Sequence, residues 1–143
     1  MNIFLLWMHP LVQAGAALIG FWAMWQGFKR VQMLLGKKVI FPWKQHVKLG
    51  TWGLCLWSLG ALAFYTTHTF FGYTHITGLH AILAWPIIGL SLFGLVTGYV
   101  MNRYKKKRKW LPILHGVSNT ILVCLVLVEC WTGIELCFQF LHL

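Results

Sequence analysis

Four long apolar stretches, about 3–28, 46–68, 78–102 and 111–136, alternate with short connections of unlike polarity. Each is long enough to meet the roughly 20 residues that a helix needs to cross the hydrocarbon core of a bilayer. The connections at 29–45 and 103–110 are basic, and the one at 69–77 carries no Lys, Arg, Asp or Glu. The pattern predicts an all-α membrane protein, a four-transmembrane-helix antiparallel bundle occupying residues 1–143 as one unit. Neither an internal repeat nor a low-complexity linker divides it.

Composition strengthens this picture. Apolar residues make up 59% of the chain and charged residues 10%, against about a quarter charged in soluble domains. The twelve basic residues outnumber two acids, for a net charge of +10. Lys29, Arg30, Lys37, Lys38, Lys44 and Lys48 surround the first connection, and Arg103, Lys105, Lys106, Lys107, Arg108 and Lys109 the third. Short loops rich in Lys and Arg stay cytoplasmic, so both termini and the middle connection are expected on the non-cytoplasmic side, as in a bacterial inner membrane. Trp43, Trp110, Tyr104, Tyr65 and Tyr73 fall near the expected boundaries, where amphipathic rings sit at headgroup level. Charge confined to loops between apolar spans points to membrane lipid as the partner and argues against nucleic acid. Cys55, Cys124, Cys130 and Cys137 lack ligand-like spacing and read as small packing residues. No Lys or Arg precedes Lys29, so the first segment reads as part of the mature bundle and not as a secretory signal.

Imidazole is uncommon inside a bilayer and is usually paired or functional, yet every span carries one near an end. Alternating helix direction sorts them by depth into two classes: His9 with His80 towards the non-cytoplasmic face, and His46 with His115 towards the cytoplasmic face. Two facing neutral imidazoles can supply both axial ligands of a haem iron. Small residues at helical spacing from them, among them Ala16, Gly20, Gly53, Ser91, Gly94 and Gly98, leave room for a disc-shaped cofactor or, equally, for close helix packing. Zinc is the weaker alternative because its ligands cluster in tetrahedral arrays, and a cofactor-free transporter or scaffold is a further one.

The short strings around these histidines are His9–Pro10, the Lys44, His46, Leu49 and Gly50 pattern, the tetrapeptide centred on Leu79–His80, and Leu114–His115–Gly116. In their order and depth the chain resembles the cytochrome b561 superfamily, in its minimal four-helix core form without the flanking helices of larger animal and plant members. The resemblance implies two b-type haems with bis-histidine ligation, His9 with His80 and His46 with His115. It implies electron transfer across the membrane, with quinol-, ascorbate- or ferric-reductase-type activity left open. A quinol or other small electron donor and a redox protein are the partners to expect, and an oligomer is left open. The alternative is a haem-bearing membrane anchor and quinol-exchange subunit of a larger oxidoreductase.

Other residues join the candidate site by position. Lys44, Lys48 and Arg103 lie where the cytoplasmic-side cofactor would present its carboxylates. Glu129 and Asn119 fall on nearly the same face as His115, with Glu129 at the upper level, as a candidate proton or substrate site. His68 and His75 flank the non-cytoplasmic connection, where an acceptor would approach. His142 carries no signal.

Overall fold

The computed structural model describes residues 3–63 and 78–140. Tyr65, His68, Tyr73, His75 and His142 lie outside the described residues. The elements are α1 (Ile3–Leu34), α2 (Trp43–Leu59) with a 3₁₀ turn at Gly60–Leu62, α3 (Gly78–Arg103) and α4 (Trp110–Phe140). Among the described residues all regular structure is helical.

The first expected boundary is corrected. The helix does not stop at 28 but continues through Lys29 and Arg30 to Leu34, because the segment holds good helix formers and no Gly or Pro until Gly36. Gly36 then ends it at φ +80°, a left-handed conformation that favours glycine. The amides of Gly36 and Lys37 bond back to the carbonyls of Met33 and Gln32 at 3.1 and 3.0 Å, which is a Schellman cap. The second helix begins at Trp43, three residues before the expected start, directly after Pro42. Its regular α-helical part closes at Leu59, and 64–68 of the expected span fall outside the described residues. Pro112 is accommodated in the first turn of α4, where a missing amide costs little.

Packing follows the chain. α1 packs on α2, α2 on α3 and α3 on α4, and α4 returns more lightly to α1. The α1–α2 contact has a fixed antiparallel register. Gln13 Nε2 donates to Leu56 O at 3.0 Å, Gly53 lies against the Gly20 backbone, and His46 reaches Ala23. On the α3–α4 side, Gly94 meets Asn119, Gly98 meets His115 and Gly133 meets His80. Gly20 is required by close approach, since a Cβ there would enter the ring of Trp57.

The centre is filled by Ala16, Ala17, Leu54, Trp57, Ile87, Leu122 and Val126. The polarity of the cross-section is unusual for a protein in water. Gln26, Ser91, Thr97 and Thr132 are buried, whereas Trp22, Trp25, Trp52, Trp85 and Trp131 are exposed. α3 and α4 are each long and apolar enough to cross a membrane.

Candidate functional site

The ring of helices makes α1 and α3 diagonal partners, and α2 and α4 the other diagonal. Each diagonal brings two histidines together. The rings of His9 and His80 lie 6.2 Å apart between centroids at an interplanar angle of 89°. Those of His46 and His115 lie 6.4 Å apart at 79°. On α3 the step from His80 to Thr97, which touches His115, is about 26 Å at the helical rise per residue. The two pairs therefore occupy separate levels.

A metal bonded to one nitrogen of each ring at about 2 Å, with each ring centre roughly 1.1 Å further along the same line, would separate the centroids by about 6.2 Å. Both pairs have that spacing. Direct edge-to-face packing of aromatic rings also falls in this range, so the hydrogen bonds decide what the nitrogens can do.

His46 Nδ1 faces the Ala23 carbonyl at 2.8 Å. A carbonyl only accepts, so Nδ1 carries the proton and donates it, leaving Nε2 with a free lone pair. Thr97 Oγ lies 2.8 Å from His115 Nδ1 and already donates to Phe93 O at 2.7 Å. It therefore accepts from His115 Nδ1–H, a 2.8 Å contact that outweighs the longer 3.4 Å approach of the Asn119 Nδ2 donor to the same nitrogen. Thr132 Oγ lies 3.0 Å from His80 Nδ1 and donates to Glu129 O at 3.1 Å, so the same reasoning holds. Three histidines thus share one tautomer, with Nε2 bare, which is the state a metal-ligating imidazole takes when its other nitrogen is tied to a second partner. His9 faces His80 without a hydrogen bond of its own among the described residues.

Each of these three rings also lies against a glycine of a neighbouring helix. A Cβ built on Gly27 would lie 3.1 Å from His46 Cε1, on Gly133 3.1 Å from His80 Cε1, and on Gly98 3.5 Å from His115 Cε1. Phe41 covers His46 with ring centroids 5.4 Å apart.

The remaining candidates separate. Asn119 sits at the lower level, where its Nδ2 donates to His115 O at 2.7 Å and its side chain packs on Gly94. Glu129 sits at the upper level with Oε1 3.4 Å from His80 Nδ1, while Oε2 is buried without a hydrogen-bond partner. The two do not form one site. A cavity of about 130 Å³ beside His80 is lined by Thr132, Glu135 and Gln139 among others. Lys44, Lys48 and Arg103 are exposed. The basic cavity at their end of the molecule is lined instead by Arg30, Lys105, Lys106, Lys107 and Arg108. Among the described residues no three His, Cys, Asp or Glu side chains converge on one metal-ion position.

The four histidines are legible in the sequence, whereas the Thr97, Thr132, Gly27 and Gly133 that touch them are not singled out there. The signal for the threonines was present, as polar positions in otherwise apolar spans. The glycines emerge only once the antiparallel register is known. No protein-family model, curated protein or solved structure matches the chain.

Proposed function

We propose that the chain is a four-span membrane cytochrome of the b561 type that holds two b-type haems, His9 with His80 and His46 with His115, and carries electrons between the two membrane faces. The observation that carries this reading is the pairing itself. Two imidazole pairs stand on the two diagonals at metal-bridging separation, with Nε2 free in the three rings whose tautomer is fixed. Bound there, haem would supply reversible one-electron chemistry through the valence of its iron.

The chain's own residues do the holding. Thr97, Thr132 and the Ala23 carbonyl fix ring orientation and keep the proton on Nδ1. The core around Trp57 and Leu122 fills the space between the levels with apolar side chains. The outward Trp, Leu and Ile side chains supply a lipid-facing surface, since apolar exposure on this scale marks an interaction surface and not a free one. The basic charge of the two connections supports a cytoplasmic position for both, as in a bacterial inner membrane.

Replacing Thr97 by Val keeps the shape and removes the hydroxyl that accepts from His115. Loss of such a partner costs about 10–100-fold in metal affinity. We expect haem loss on dilution, and a shifted midpoint potential, at the lower level only. Thr132→Val is expected to do the same at the upper level. A redox titration resolving two components checks both, and unchanged components would remove the threonines from the account.

A second reading, quinol exchange at the upper level for a partner oxidoreductase, is favoured by Glu129, whose buried, unpartnered oxygen lies beside His80 and near the small cavity. Vesicles containing the purified chain alone separate the two. Autonomous transfer predicts that an internal ferric chelate is reduced by an external small donor. A requirement for an added redox protein or quinol would favour the second reading.

A further inference from the structure

The basic residues and the acids occupy opposite ends of the molecule. All twelve Lys and Arg flank the two basic connections, whereas Glu129 and Glu135 both lie in the second half of α4. Among the described residues no Lys or Arg is paired with a carboxylate. Near the end of α1, the end of α3 and the start of α4 lies a cavity of about 480 Å³, lined by Arg30, Lys105, Lys106, Lys107 and Arg108, with Met101 and Pro112. The hollow is open to the surface: Lys105, Lys106 and Lys107 are exposed and Arg108 is half-buried.

The wall is held by neutral partners only. Arg108 is half-buried, and its Nη1 donates to Val100 O in the last turn of α3 at 3.4 Å and to Tyr104 O just beyond it at 3.0 Å. Lys105 Nζ donates to Asn102 Oδ1 at 3.2 Å and lies 4.2 Å from the Trp43 ring centre. These contacts position the cations without cancelling their charge. Five like charges around one hollow repel one another, so an anion entering it is attracted by all five and relieves their repulsion. The chain has no acid at this end to do so.

The position of the hollow selects the source of the anion. Trp110, Tyr104 and Trp43 are exposed near it, and such side chains settle at headgroup depth. Basic pockets between spans on the cytoplasmic side suit acidic headgroups. We propose that this cavity binds the phosphodiester of an anionic phospholipid of the cytoplasmic leaflet. The proposal rests on the membrane reading above and is independent of haem.

Native mass spectrometry of the full chain in neutral detergent tests it, with phosphatidylglycerol, phosphatidylcholine and inorganic phosphate as probes. At about 1 kcal/mol per basic side chain near the headgroup, the wild type is expected to retain phosphatidylglycerol at least about tenfold more tightly than phosphatidylcholine. R30Q/R108Q is expected to lose most of that preference. K37Q/K38Q removes the same charge from exposed residues outside the cavity and is expected to keep it. H46A/H115A is also expected to keep it, so failure of the haem reading leaves a distinct result. Equal retention of the two lipids, or equal loss in K37Q/K38Q, would overturn the proposal. So would displacement of the lipid by an equal concentration of inorganic phosphate, which would mark a site for aqueous anions. Lipid bound only by H46A/H115A would overturn it as well, because the carboxylates of a cofactor would then be the natural occupant.

Discussion

Replacing His9 by Ala is expected to lower the haem content of the purified chain from two to one per polypeptide, and His46→Ala is expected to remove the other. The two levels lie about 26 Å apart along the helices, and each histidine pair draws on a different diagonal of the bundle. Loss at one level therefore leaves the hydrogen bonds to the rings at the other intact: Thr97 and the Ala23 carbonyl serve only the lower pair, and Thr132 only the upper. His80→Ala should repeat the His9→Ala spectrum, and His115→Ala the His46→Ala spectrum. The double variant His80→Ala/His115→Ala should be colourless. Absorption of the reduced protein, with haem counted against protein mass, checks the set. A His9 variant that loses both haems in a still-folded chain would refute independent sites.

Comparable losses are expected from residues that would never touch iron. Gly27→Val and Gly133→Val place a branched side chain where the His46 and His80 rings rest, since even the first carbon would stand 3.1 Å from Cε1 in each case. The rings are tied by Nδ1 to Ala23 O and Thr132 Oγ on the same helices as these glycines, so an added side chain pushes against the anchored edge of each ring, and crowding a packed site commonly costs about 1–3 kcal/mol. We expect Gly27→Val to empty the lower level and Gly133→Val the upper one. Gly98→Ala, at 3.5 Å from His115, should be tolerated. Gly15 and Gly89 have open space where a Cβ would go, so Gly15→Ala and Gly89→Ala should leave haem content unchanged and slightly favour the helix. Haem-to-protein ratios across this series check the seating argument, and a flat series would refute it.

These two sets of residues differ in how far the sequence reveals them. The depth sorting of His9, His46, His80 and His115 needed only chain direction and the helical rise, and the diagonal packing brings the same residues together in pairs. Gly27 and Gly133 carry no signal in the sequence, because a glycine gains meaning only opposite the side chain that occupies its space. The register of α1 against α2, pinned by Gly20, Gly53 and Gln13, supplies that partner for Gly27, and the register of α3 against α4, seen at Gly94 and Gly98, supplies it for Gly133. The end of α1 was misplaced because Lys29 and Arg30 suggest a loop by charge while favouring helix by conformation; Gly36 is the true stop. The cations met a similar limit. Lys44, Lys48 and Arg103 stand out by nearness to the predicted boundary, but the path of 104–109, which has no periodicity, turns Arg108 back onto the carbonyls of Val100 and Tyr104. Asn119 and Glu129 share a helix face, yet the length of α4 assigns them to different levels.

The most direct measurement is the amount of haem b per chain in freshly purified, full-length protein, by pyridine haemochrome against amino-acid analysis. The account predicts two per chain, both six-coordinate and low-spin. A folded, monodisperse preparation without haem, loaded neither during expression nor on addition of haem, would contradict it.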